Sequence, residues 1–176
     1  MLFRSDALHG THVAGIIGAV RNNDLGMDGV AEHVKIMVVR VVPDGDERDK
    51  DVANGIRYAV DNGAKIINMS FGKSYSPNKA AVDAAVKYAE SKGVLIIHAA
   101  GNDNSNNDEN PDYPNAKLSD GSVASNWIEV GATNPSGTAA AFSNYGKATV
   151  DLFAPGVEIY SCLPESKYGK IGRAHV

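Results

Sequence analysis

The chain has 176 residues, 43% of them apolar, 22% charged and 7% aromatic, a length and balance that suit one soluble domain able to bury a core. Its 17 basic and 21 acidic residues leave a net charge of −4 with no basic run, which argues against nucleic acid or an anionic membrane surface as a partner. No apolar stretch approaches the roughly 20 residues of a membrane span, and the one cysteine, Cys162, excludes an internal disulfide and reads as a small apolar filler near a strand end.

The two ends read as foreign to the domain between them. Leu2-Phe3-Arg4-Ser5 can be encoded by CTCTTCCGATCT. The codons of Lys170-Ile171-Gly172-Arg173, with the first base of Ala174, can contain AGATCGGAAGAG, the reverse complement of that string. This symmetry predicts adapter-derived tails at 1–5 and 170–176 around a native segment, 6–169.

Residues 9–20 read as a helix. Val13, Ile16, Ile17 and Val20 follow the spacing of one buried face. Ala14 with Gly18, and Gly15 with Ala19, form a second face of small residues that allows another backbone to approach closely. Interior glycines cost helix stability, so their presence points to a tight packing site. Residues 34–42 are nearly continuously apolar, as a strand buried on both faces should be. Residues 51–62 predict a helix with Val52, Ile56, Ala59 and Val60 inward, stopped by Asn62-Gly63. A strand over 64–69 follows. A helix over 79–92 turns Val82, Ala85, Val86 and Ala89 inward, and a buried strand over 94–99 comes next. Residues 102–115 are rich in Asn and Asp, contain two prolines and lack periodicity, so they read as a surface loop. Further strands are expected over 127–133, 150–153 and 157–161, with a turn at Pro155-Gly156. The alternation of strands and helices predicts an α/β fold with a parallel sheet flanked by helices on both faces, incomplete at both ends.

Two segments carry chemistry. The first is His9-Gly10-Thr11-His12-Val13-Ala14-Gly15. His9 begins the first helix, where the positive end of the helix dipole disfavours imidazolium and so favours the neutral imidazole a general base needs. The second is Ala99-Ala100-Gly101-Asn102, which follows a buried strand and so lies at the carboxyl edge of the sheet, where open α/β folds bind ligands. An amide side chain there suits either an oxyanion donor or the cap of a loop turn.

Together these segments resemble the active-site strings of the subtilisin-like serine proteases, the subtilases. The resemblance implies a serine endopeptidase acting on polypeptides, with His9 as the general base, Asn102 as the oxyanion donor and His12 as a packed structural histidine. It also implies that Ser70-Phe71-Gly72 borders the pocket for the residue before the cleaved bond and pairs with the substrate as an added strand. Ala99-Ala100-Gly101 would form the facing wall. Small and apolar walls suggest a large uncharged guest. Asn22-Asn23-Asp24-Leu25-Gly26 resembles a loop that holds a structural calcium in the family, with one extra residue before the asparagines; a plain helix-terminating turn fits equally. The acidic, Asn-rich stretch 102–112 offers oxygens for calcium as well, but reads better as a solvated loop. No other cofactor is implied.

Asp151-Leu152-Phe153-Ala154-Pro155-Gly156 also matches the family, which continues from there to a Gly-Thr-Ser element carrying the nucleophile. No Gly-Thr-Ser occurs in this chain, and only eight residues precede His9, too few for the strand that bears the family's aspartate. The family orders its triad Asp, His, Ser, so both gaps fall at the ends. The resemblance therefore implies a partial peptidase domain over 6–169, inactive by itself, monomeric, from an extracellular or periplasmic enzyme. The alternative is a non-catalytic binding module. A metal hydrolase built on His9, His12 and His98 is disfavoured, because His9-x-x-His12 lacks the adjacent glutamate of zinc hydrolases and His98 falls mid-strand.

Overall fold

A computed structural model of the chain describes residues 7–43, 45 and 47–171. The described residues form two compact units, one of residues 7–38 and 158–171, the other of the described residues between 39 and 157.

The first unit holds helix α1 (Leu8–Gly18) and a hairpin of strands β5 (Tyr160–Leu163) and β6 (Lys167–Lys170). The small-residue face of α1 is the one that packs. A Cβ on Gly15 would stand 2.4 Å from Ser161 Oγ and 2.9 Å from Cys162 Sγ, so β5 lies directly on the helix backbone. Hydrogen bonds fix that approach: Ser161 Oγ donates to the His12 carbonyl (2.7 Å), and His12 Nε2 lies 3.1 Å from the Ile159 carbonyl. The expected apolar face packs less well. Val13, Ile16 and Ile17 are half-buried, and Val20, beyond the helix end, is 69% exposed. Residues wide enough to fill a core would have held β5 away from the helix.

The expected strand over 157–161 is displaced to β5 and pairs antiparallel with β6, outside the parallel sheet. β6 itself was not anticipated, and its last residue, Lys170, which the adapter reading assigns to a tail, pairs with Tyr160. The remainder of the expected tails, 1–5 and 172–176, lies outside the described residues.

The second unit contains α2 (Asp49–Asp61), β1 (Ile66–Met69), α3 (Lys79–Ser91), β2 (Leu95–Ala99), β3 (Trp127–Thr133) and β4 (Leu152–Pro155). The strands form one fully parallel sheet in the order β1-β2-β3-β4. The register aligns Ile67, Ile96 and Trp127 in one row and Met69, His98 and Glu129 in the next, all on one face. That face meets α2 and α3 in a core of Val52, Ile56, Met69, Val86, Ile96 and Trp127, among others. Both helices present the predicted positions, because a 3.6-residue period and a flat apolar sheet leave one way to bury Val52, Ile56, Ala59 and Val60 or Val82, Ala85, Val86 and Ala89.

The run 34–42 corrects the reading of it as a buried strand: it joins no ladder among the described residues. Val34, Ile36, Met37 and Val38 are exposed, from 41 to 84%. Val39 and Val41 lie against Gly55 of α2, where an added Cβ would meet Val41 Cγ1 at 2.4 Å. Apolar composition supplies side chains for a strand but not the hydrogen-bonded neighbour that makes one.

Candidate active site

His9 stands in the first turn of α1, half-buried, in the first unit. Asn102, in the second unit, follows β2 directly. The turn that carries it starts at Gly101, whose φ of 108° is readily adopted only by glycine. Two asparagines, one nearby and one far along the chain, hold this turn. Asn144 Oδ1 accepts from the backbone N–H of Asp103 (2.8 Å) and Ser105 (3.1 Å), and the Asn144 N–H donates to the Gly101 carbonyl. Asn107 Nδ2 donates to the Ala100 carbonyl (2.8 Å), and Asn144 Nδ2 donates to Asn107 Oδ1. Both are buried. The turn is thereby rigid before any ligand arrives, which is what a donor aimed at a developing charge requires.

His98, one residue before Ala99, ties the end of β2 to the segment that follows β1. Ala99 and Ala100 are buried at the end of β2, and Ser70-Phe71-Gly72 follows β1, with Ser70 Oγ accepting from Asn68 Nδ2. His98 Nε2 donates to the Phe71 carbonyl (2.8 Å), while Nδ1 lies 2.9 Å from Glu129 Oε1. A carbonyl only accepts, so Nε2 carries a proton. Trp127 Nε1 donates to the other oxygen of Glu129 (2.7 Å), as it would to a carboxylate. The pairing with Glu129 favours the imidazolium, and both groups are fully or nearly buried. Burial alone would lower the His98 pKa; the hydrogen bond and charge of Glu129, with Asp112 and the Phe71 carbonyl, outweigh it and raise the value above the ordinary 6.5. Both ring nitrogens are thus engaged by protein groups. His12, likewise buried, serves the packing of α1, as the resemblance implied.

Segment 102–115 is a surface loop, as expected, and it is tethered at its end. Lys73 and Tyr113 exchange two backbone hydrogen bonds (3.0 and 2.8 Å), which brings Asp112 beside Gly72. A Cβ on Gly72 would lie 2.6 Å from Asp112 Oδ2, and one on Gly101 would lie 3.2 Å from the same atom. Burial pushes the Asp112 carboxyl up, against the pull of the Tyr113 N–H and the His98 imidazolium.

Sequence reasoning missed Asn107, Asn144, Glu129 and Asp112. Glu129 had a signal: a carboxylate inside an otherwise apolar strand needs a buried partner. The asparagines had none, because Asn144 acts on residues some 40 positions away.

In the loop after α1, Asn22 (φ 56°), Asp24 (φ 59°) and Gly26 (φ 60°) are left-handed and exposed. Asn23 Oδ1 accepts from the Leu25 N–H and Asp28 Oδ1 from the Asn22 N–H. Among the described residues no three acidic, histidine or cysteine side chains converge as a metal site would need. The loop closes on its own backbone donors.

Comparison with known proteins gives a consistent picture. The subtilase family model matches residues 3–173. The chain is 40% identical to thermitase of Thermoactinomyces vulgaris over 93% of its own length and 54% of thermitase. It is 39% identical to subtilisin BL of Lederbergia lenta over 93% of its length and 56% of that protein. Among solved structures, a cold-adapted subtilisin-like serine proteinase matches with a TM-score of 0.76 at 35% identity, covering 96% of this chain and 56% of that one. The prenylagaramide maturation protease PagA matches with a TM-score of 0.78 at 30% identity, over 96% and 58%. The chain thus spans about half the length of the curated relatives it matches. With the histidine motif opening α1, an asparagine turn closing a parallel strand and these relatives in agreement, the chain belongs to the subtilase family.

Proposed function

We propose that this chain carries the general base and the oxyanion donor of a serine endopeptidase whose aspartate and serine lie outside it. The observation that carries the reading is the pairing of the His9–Gly15 motif at the start of α1 with Asn102 on a preorganised turn at the carboxyl end of β2, in a member of the subtilase family. In the complete enzyme the serine hydroxyl attacks the peptide carbonyl, its proton passes to His9, and the Asn102 amide donates to the oxyanion. His9 then returns the proton to the leaving amine as the C–N bond breaks. Water repeats the sequence on the acyl-enzyme. The substrate is polypeptide, lying along Ser70-Phe71-Gly72 and Ala99-Ala100-Gly101, and the enzyme is monomeric and acts outside the cytoplasm. Among the described residues no helix is long and apolar enough to cross a membrane.

The test is the parent gene. An aspartate-bearing strand upstream and Gly-Thr-Ser downstream are expected; a different residue at the serine position would replace the enzyme with a binding module. The isolated chain should hydrolyse no peptide, and hydrolysis that survives His9→Ala would contradict the reading. Calcium at Asn22, Asn23 and Asp24 is a separate proposal, checked by a calcium titration of the melting temperature.

A further inference from the structure

The peptidase reading leaves Asp112 without a role, yet its carboxylate lies where the two substrate-binding segments end. Oδ2 occupies the space that side chains at 72 and 101 would need, at 2.6 and 3.2 Å from their Cβ positions. The tether is firm: Tyr113 is bridged to Lys73, and Asn115 Nδ2 donates to the Asp112 carbonyl (2.6 Å). The carboxylate is also poorly served by the protein. Oδ1 accepts from the Tyr113 N–H (3.0 Å), and Oδ2 accepts from no donor among the described residues.

Charge leads to the same place. The nearby cations are committed elsewhere, the His98 imidazolium to Glu129 (2.9 Å) and Lys73 Nζ to Asp49 (2.7 Å) and the Glu47 carbonyl. Around Asp112 the charged neighbours are the carboxylates of Glu129 and Asp103 and the His98 imidazole, so acidic groups outnumber basic ones beside Gly72 and Gly101. A half-buried carboxylate without a counter-charge is costly, and a cationic ligand relieves that cost. The walls that lead to it are narrow in side chain (Gly72, Ala99, Ala100, Gly101), which suits a long aliphatic stem with a charged tip.

We propose that Asp112 makes this subsite selective for a cationic side chain, lysine or arginine, immediately before the cleaved bond. The inference rests on the peptidase reading for the identity of the subsite. It replaces the expectation of a large uncharged guest, which considered the walls and not their end.

The experiment uses the full-length protein and peptides that differ only in the residue before the scissile bond: Lys, Arg, Phe or Leu. Lys and Arg should exceed Phe in kcat/KM by roughly 10- to 100-fold, the value of one charge-assisted pair. Asp112→Asn should reverse that order, and Glu109→Gln, exposed in the same segment, should retain it. Preference for Phe or Leu in the unaltered protein, or a cationic preference that survives Asp112→Asn, overturns the proposal and leaves the peptidase reading standing. If no peptide is cleaved and a fluorophosphonate labels no serine, the peptidase reading falls, and benzamidine binding to this chain then decides the subsite by the carboxyl ¹³C shift of Asp112. Saturable binding that Asp112→Asn abolishes supports a cation site; absence of binding overturns it.

Discussion

The two units solve the same packing problem by opposite means. In the second unit, α2 and α3 bury valine, isoleucine and alanine against one face of a parallel sheet, and Ile96, Val86 and Ala85 are essentially inaccessible. In the first unit, α1 meets β5 through Gly15, Ser161 and Cys162, while Val20, Val30, Val34 and Val38 remain open to solvent. One unit is held by apolar area, the other by backbone proximity and a few hydrogen bonds. Area tolerates small errors, since a lost methyl leaves the rest in place; proximity does not, since a single Cβ separates the surfaces.

This contrast can be broken or sharpened by substitution, beginning with the buried ion pair of the sheet. Glu129→Gln strands the His98 imidazolium and the Trp127 donor geometry, and should cost about 3–5 kcal/mol in urea unfolding. The pair also sets a pH dependence. The folded His98 pKa lies above its unfolded value of 6.5, so the stabilisation is complete below that value and fades as pH rises through the folded one. Stability that instead rises over the alkaline side of neutrality would mean His98 is buried neutral. The Glu129→Gln variant should lose most of this dependence.

Next comes the apolar core. Ile96→Ala removes a fully buried side chain and should cost about 3 kcal/mol by the same measurement. Gly15→Ala tests the other principle. By adding one methyl group 2.4 Å from Ser161 Oγ it should cost about 2 kcal/mol, seen as faster amide exchange in α1 and β5. If Gly15→Ala proved neutral, the close approach of α1 and β5 would not be what holds that unit. Smallest is Ser161→Ala, which removes one buried hydrogen bond to the His12 carbonyl and should cost about 1 kcal/mol in the same exchange measurement.

The legibility of the sequence divides along the same line. Helices α2 and α3 and strands β1 to β3 were readable nearly to the residue, because each carries its own periodicity or a bounded apolar run. Residues 34–42 misled because apolarity is also what an unpaired segment lying over a helix requires. On α1 the small-residue face packs as its glycines implied, while the apolar face stays half-buried, because the close approach of β5 leaves its wide side chains no core to fill. At the site, His9 and Asn102 were legible as motifs, whereas His98 and Glu129 became visible only when the sheet register set them side by side, and Asn107 and Asn144 only when two loops met.

The sequence by itself determined the family, the α/β alternation, the inward faces of α2 and α3 and the two residues proposed for catalysis, since these are local patterns of spacing and residue type. Only the tertiary structure decided that β5 leaves the parallel sheet for a hairpin, that His98 pairs with Glu129, and that Asp112 lies against Gly72 and Gly101. Each of those depends on atoms distant in the chain, where hydrogen bonds and unpaired charge act through space and leave no period in the sequence.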